Sequence, residues 1–204
     1  MSTQRHWDDA YRAKPDGQVS WFQQIPSRSL ALIEAAGLAK DAPILDVGGG
    51  ASRLMDALLA KGYSDLSVLD VSVAALARSQ ERLGAKAAKI SWITADVTTW
   101  KPERQWMVWH DRAMFHFLVE EYAQWAYVSA LRRATAPGAT VLIAGFAPDG
   151  PQRCSGLPVW RHSAEGLARC LGKKFTLAGE AHETHRTPAG ANQNFLYVSF
   201  RRRS

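Results

Sequence analysis

The stretch PILDVGGGASR, residues 43–53, decides the architecture. A short apolar run ends in an acid, Asp46, and three glycines then lead into a helical segment. A strand, a bare turn and a helix in that order form the opening unit of an α/β fold. Working outward, the chain keeps alternating. Serine-capped Ser27 opens a helix that stops at Gly37, Ser52–Ala60 is helical, and Leu66–Leu69 is a second strand. Ser72 caps a helix, VAALARSQERLG, that ends at Gly84. Ile90–Thr94 and Trp106–Trp109 follow as strands, then a helix at Glu121–Ala134 closed by Pro137-Gly138. Thr140–Phe146 is strongly apolar, Ser163–Leu171 is helical, and Phe175–Ala178 and Phe195–Phe200 close the chain as two strands with no helix between them. Short buried strands alternating with helices predict a mostly parallel sheet covered on both faces, with an antiparallel hairpin at one edge.

The chain has 204 residues, enough for one core and one domain, with 47% hydrophobic and 22% charged residues. No apolar run approaches the roughly 18 residues of a membrane span. The polar start, MSTQRHWDDAYR, has no secretory apolar core, so the expected setting is cytoplasmic. Two cysteines, Cys154 and Cys170, argue against a disulfide scaffold or a cysteine-rich zinc site. The net charge of +6 is scattered apart from Arg201–Arg203, with no basic stripe interleaved with aromatics, which disfavours nucleic acid as the partner. A monomer is the default expectation.

In a doubly wound sheet, ligands bind beyond the carboxyl ends of the strands. Gly48 and Gly50 sit there and permit a tight turn with close approach of a ligand to the main chain. Asp70 ends the second strand 20 residues beyond Gly50, a spacing that suits a carboxylate accepting from ribose hydroxyls. Arg53 stands where the dinucleotide pattern G-x-G-x-x-G needs its last glycine, and no Gly-Lys-Ser/Thr follows for a phosphate loop. A nucleoside without phosphates fits better, and Asp96, in Ala95-Asp96-Val97 after the third strand, is placed to meet an adenine amino group.

These segments, LDVGGGASRL, VLDVS, ITADVTTW and HDRAMFHFL, together resemble the successive motifs of class I S-adenosylmethionine (SAM)-dependent methyltransferases, over about residues 5–201. The resemblance implies a Rossmann-like α/β fold, a doubly wound, seven-stranded, mostly parallel sheet of order 3-2-1-4-5-7-6 with strand 7 antiparallel. It implies SAM as cofactor, with Gly48 and Gly50 at its methionine part, Asp46 at its amino group, Asp70 with Val71 at the ribose, and Asp96 with Val97 at the adenine. The aromatic segment 1–30 (Trp7, Tyr11, Trp21, Phe22) reads either as packing for a lid helix or as a flap over the sulfonium, ahead of a SAM-binding core at 31–204. That segment, with Asp111-Arg112 and Gly150-Pro151, is similar to the thiopurine and thiol S-methyltransferases, which implies a small-molecule acceptor carrying a thiol or a heteroaromatic nitrogen or sulfur.

Methyl transfer is an in-line displacement that needs an aligned nucleophile, and a base only when the acceptor arrives protonated. His116 is the candidate proton acceptor, against the bland reading of a core histidine in an apolar MFHF run. Asp111 and Arg112 orient a substrate or form an ion pair beneath the cofactor. Arg153 and Arg161, flanking the Gly/Pro-rich stretch 147–161, would suit an anionic acceptor. HETH (182–185) could line the same pocket; its histidines sit three apart, so no metal site is expected. The competing functions are a protein lysine methyltransferase, which shares a Trp…Tyr start, a non-catalytic SAM-binding module, and a nicotinamide-dependent reductase, which Arg53 disfavours.

Overall fold

The computed structural model describes residues 3–204, with the side chains of Thr3 and Asp16 outside the description. Helix α1, Thr3–Ala13, comes first, and a turn at Asp16–Gln18 leads to α2, Ser27–Ala35. Strand β1, Ile44–Val47, and the glycine turn precede α3, Leu54–Ala60. Next come β2, Leu66–Asp70, α4, Val73–Leu83, β3, Ile90–Thr94, and β4, Trp106–Arg112. Helix α5, Glu121–Ala134, runs directly into β5, Thr135–Phe146. A two-residue hairpin of β6, Arg153–Cys154, and β7, Leu157–Pro158, precedes α6, Ala164–Leu171. Strands β8, Phe175–Arg186, and β9, Asn192–Arg202, complete the chain.

The main sheet runs β3-β2-β1-β4-β5-β9-β8, parallel through β5, with β9 antiparallel to both its neighbours. Numbered without the small hairpin, this is the expected order 3-2-1-4-5-7-6. Strands β1 and β2 are buried along their whole length, as befits inner parallel strands covered on both faces. Alternate residues therefore feed two cores. Ile44, Val68, Val108 and Leu142 pack with Ile33, Leu58 and Leu76 of α2, α3 and α4. Leu45, Val47, Trp109, Val141 and Ile143 pack with Tyr127, Leu131 and Leu167 of α5 and α6. Of the two caps read from sequence, Ser72 holds, its Oγ accepting from Ala75 N at 3.1 Å. Ser27 does not cap α2: it is the first helical residue, and Pro26 takes the cap position with no side-chain bond. Ser163 caps α6, its Oγ accepting from Gly166 N at 3.1 Å. No helix among the described residues is long and apolar enough to cross a membrane.

Several boundaries move. The helix expected from Ser52 starts at Leu54, with Ser52 Oγ accepting from Leu54 N at 3.1 Å. Pro137-Gly138 does not separate α5 from its strand. It lies within β5 where the register against β4 slips between Trp106 and Val108, and both residues face solvent. The final hairpin is far longer than its apolar cores, because β8 pairs with β9 from Phe175 through Arg186. Residue 30 falls inside α2, so the flap proper is α1 and the loop up to Pro26, and residues 1–2 of the expected flap lie outside the described residues. Stretch 147–161 is not all loop: Ser155 and Gly156, both at positive φ, make the tight turn between β6 and β7.

Candidate active site

Parallel register puts the carboxyl ends of β1, β2 and β4 side by side: Asp46 pairs with Val68 and His110, and Asp70 with Thr94. A cleft of about 370 Å³ opens there. Its walls include Trp7, Tyr11, Trp21, Gly48, Asp70, Val71, Asp96, Val97 and Arg112, nine of the residues singled out from sequence. A smaller cavity of about 60 Å³ adjoins it, sharing Tyr11, Trp21, Gly48 and Arg112 and adding Asp46, Arg53, Ser29 and His110.

Asp70 is buried and accepts from Ser72 N at 2.7 Å, with Gly50 and Val71 N–H also facing it. Burial dominates those bonds, and nearby Asp46 adds repulsion, so the Asp70 carboxyl is pushed up to about 7. Asp96 shapes its own turn, its Oδ1 accepting from Thr98 N at 2.9 Å and Thr98 Oγ1 at 2.7 Å.

The glycines behave differently from one another. Gly48 and Gly50 have positive φ, and each is covered by protein: a Cβ at Gly48 would stand 2.5 Å from Met114 Cβ, and one at Gly50 2.7 Å from the Tyr11 hydroxyl. Gly49, overlooked in the sequence, is as tightly held. A Cβ there would meet Asp46 Oδ2 at 2.6 Å and Val68 Cγ1 at 2.8 Å.

The flap is pinned at both ends. Asp8 Oδ1 accepts from Ser72 Oγ at 2.7 Å and Ala74 N at 3.1 Å, so α1 is fastened to the first turn of α4. At the other end Arg112 Nη1 donates to Trp21 O at 3.0 Å, His185 Nε2 meets Ser20 O at 2.8 Å, and Gln23 Nε2 donates to Glu183 Oε1 at 3.1 Å. Between these anchors Trp7 packs edge-on to Trp21 and Phe117, at centroid distances of 5.8 and 4.9 Å, and Trp21 Nε1 donates to the Tyr11 hydroxyl at 3.3 Å. The result is an aromatic wall on the cleft.

Arg112 Nε donates to Tyr197 Oη at 2.9 Å and its guanidinium lies over Phe195, while Nη2 is buried with no partner. Arg53, which the sequence offered only as a break in the dinucleotide pattern, lines the small cavity. Its Nε is likewise buried without a partner, and Asp46 Oδ2 is a third such atom.

Other candidates lie elsewhere. Asp111 is fully buried beneath the cleft, accepting from Met114 N at 3.0 Å, Phe115 N and the Tyr127 hydroxyl at 2.8 Å. It thereby holds the turn after β4, and burial raises its carboxyl to about 6. Consecutive strand residues face opposite ways, so Asp111 and Arg112 do not form the ion pair considered from sequence. His116 is fully buried against Phe117 and Phe146 and is not brought to the cleft. Neither of its ring nitrogens has a partner, and burial, with His162 and Arg112 nearby, pushes it down to about 3. Arg153 is exposed and bonds Gly156 O, and Arg161 Nη1 donates to Gly150 O at 3.3 Å; neither lines the cleft. Cys154 and Leu157 of the hairpin do. The HETH stretch is part of β8, with His182 exposed and His185 tied to the flap, so it does not line the acceptor side. No cluster of three or more His, Cys, Asp or Glu among the described residues is arranged to hold a metal.

Comparison with known proteins places this cleft in context. Residues 44–138 match the family described as "Methyltransferase domain". A stretch of 84 residues is 33% identical to EEF1A lysine methyltransferase 2 of Danio rerio, a match that spans 37% of this chain and only 36% of that protein. A solved structure described as "Conversion of a Disulfide Bond into a Thioacetal Group during Echinomycin Biosynthesis" superposes with a TM-score of 0.79 at 20% identity, over 99% of this chain and 92% of that one. The 1,6-didemethyltoxoflavin-N1-methyltransferase of Burkholderia thailandensis, solved with bound 1,6-didemethyltoxoflavin and S-adenosylhomocysteine, superposes with a TM-score of 0.69 at 17% identity, over 99% and 84% of the two chains. The methyltransferase-domain match thus covers a little under half of the chain, and the chain over its whole length shares its fold with a solved SAM-dependent methyltransferase.

Proposed function

We propose that the protein transfers a methyl group from SAM to a small molecule whose acceptor atom, a thiol sulfur or a heteroaromatic nitrogen or sulfur, is nucleophilic without help from an enzymic base. One observation carries the cofactor half. Asp70 and Asp96 lie on the walls of one cleft, and the adjoining cavity presents an unpaired carboxylate oxygen, Asp46 Oδ2, and an unpaired guanidinium nitrogen, Arg53 Nε. A nucleoside bearing an amino-acid zwitterion satisfies all four, whereas a phosphate would meet two carboxylates. SAM, when bound, supplies an electrophilic methyl on a sulfonium.

The chain's own residues do the rest. Asp70 accepts from the ribose hydroxyls, Asp96 from the adenine amino group, and the Trp7–Tyr11–Trp21 wall offers electron-rich faces to the cation. Held rigidly by its anchors, the flap excludes water and fixes the line of attack. Arg112 Nη2, unpaired between cleft and cavity, is free to receive an anionic group of the acceptor or the cofactor's carboxylate.

The acceptor half is walled by Ala113, Met114, Phe117, Leu118 and Leu157, and opens past Val119, Glu120 and Tyr122, the last 73% exposed. Its ionisable groups among the described residues are Arg112, the exposed Glu120 and Tyr122, and Cys154, whose thiol burial pushes up to about 11. Burial keeps the Cys154 thiol protonated near neutrality, and no histidine among the described residues lines the cleft. The acceptor therefore brings its own lone pair: its attack on the methyl carbon would form one bond as the C–S bond broke, and a proton left on the methylated product would pass to solvent. Free Cys154 and Cys170 suit a cytoplasmic setting.

A second reading is kept alive by the 33% identity to a lysine methyltransferase. Incubation with methyl-labelled SAM and panels of small thiols, heteroaromatics and proteins separates the two. Label in small products supports the proposal, and label confined to macromolecules overturns it.

A further inference from the structure

The small cavity contains a hydrogen-bonded chain that cofactor contacts alone do not account for. Asp46 Oδ1 meets His110 Nδ1 at 2.7 Å, and His110 Nε2 meets Ser29 Oγ at 2.8 Å. The three residues are 2%, 3% and 1% exposed. Their meeting follows from register. Asp46 and His110 are direct partners on β1 and β4 and share the sheet face that α2 covers, and α2 carries Ser29.

A carboxylate only accepts, so the hydrogen sits on Nδ1. Nε2 then offers its lone pair, and the Ser29 hydroxyl donates to it. Every group in the chain is satisfied except Asp46 Oδ2, which lies against Gly49 with no partner. Burying polar groups is costly unless all are paired. Unlike the equally unpartnered His116 nitrogens in the core, Asp46 lines a cavity, where a donor of a bound ligand can reach it.

Serine, histidine and aspartate in this order also suggest a hydrolytic nucleophile, and the backbone argues against one. The N–H groups of Gly48 and Gly49 both point to Leu69 O, at 2.7 and 3.4 Å, and so are not available to an oxyanion.

We propose that Ser29 and His110 are positioning residues, which hold Asp46 with Oδ2 turned into the small cavity to receive the α-ammonium group of the cofactor's amino-acid end. This rests on the reading that the cleft binds SAM. His110 fixes Oδ1 and so selects the oxygen left over; Ser29 stops the imidazole from turning its other nitrogen to the carboxylate.

The test is calorimetric titration of the full chain with two ligands. S-adenosylhomocysteine carries the amino-acid end, and 5′-methylthioadenosine keeps the nucleoside and thioether without it. His110→Ala is expected to weaken the first by about tenfold to a hundredfold, the scale of a charge-assisted hydrogen bond, and to leave the second within about twofold. His110→Asn, whose amide nitrogen stands near the place of Nδ1, should restore most of the loss, and Ser29→Ala should fall between. Equal weakening of both ligands by His110→Ala and His110→Asn means general damage and overturns the proposal, as does unchanged S-adenosylhomocysteine binding. If the native chain binds neither ligand, the cofactor reading fails and this proposal falls with it. If it binds both and His110→Ala changes neither, only the positioning role is lost.

Discussion

Asp70 should make nucleoside binding depend on pH around neutrality, where an ordinary carboxylate site, fully ionised well below that range, would show none. Its carboxyl is raised to about 7, chiefly by burial and then by Asp46, even though three backbone N–H groups face it. Ribose hydroxyls donate best to the ionised form. With a pKa of about 7, roughly a tenth of the empty sites are ionised at pH 6 and roughly nine tenths at pH 8, so affinity should rise about tenfold between them. The ligand of choice is 5′-methylthioadenosine, which has no group titrating near neutrality. Calorimetry at pH 6, 7 and 8 in buffers of different ionisation enthalpy should also show proton release on binding, greatest at the acidic end. Asp70→Asn should bind weakly and without pH dependence. Flat affinity in the native chain, or tighter binding at pH 6, refutes the reasoning.

The same shift has a stability consequence. A raised folded-state value means that the contribution of Asp70 to stability is present in full below about pH 4 and lost as pH rises through about 7. Asp70→Asn should therefore raise the melting temperature of the empty protein at pH 8, by on the order of 5 °C; a lower melting temperature would contradict the account. Gly49→Ala should cost about 1–3 kcal/mol in denaturant unfolding, because its Cβ would press on Asp46 and Val68, and a neutral result would mean that the turn relaxes. Asp8→Ala removes the fastening of α1 to α4, so stability should fall by about 1–2 kcal/mol and bound nucleoside should dissociate faster in stopped flow. His116→Leu should leave the pH profile of turnover unchanged and lessen acid sensitivity. The depressed histidines His116 and His162 contribute stability above about pH 6.5 that is lost as pH falls, which a melt series from pH 7 to 4 measures.

Much of this was readable from residue pattern. The buried strands β1 and β2 announce themselves as short, mostly apolar runs that carry an acid near their ends, and Ser72 marks a helix start by a local hydrogen bond that the structure keeps, whereas Ser27 does not. What pattern could not supply was pairing between distant segments. GEAHETHR has no apolar alternation, yet it is strand because β9 lies beside it and offers backbone partners. That Asp70 and Asp96 line one cleft was legible because strand ends in a parallel sheet share one crevice. His116 and Asp111 were not, since whether a polar side chain faces a cleft or a core depends on how the turn after β4 folds. Arg53, Gly49, His110 and Ser29 escaped for the same reason. An arginine after a glycine turn, or a histidine closing an apolar run, shows its role only when its neighbours across the sheet are known.

The central claim is that the cleft at the ends of β1, β2 and β3 holds a nucleoside with an amino-acid end. A structure determined with S-adenosylhomocysteine bound tests it most directly. It should place the ribose hydroxyls on Asp70, the adenine at Asp96 and the ammonium on Asp46 Oδ2, each at about 2.7–3.0 Å, the range of charge-assisted hydrogen bonds. A ligand seated elsewhere, or a cleft that stays closed by Trp7, Tyr11 and Met114, would contradict it.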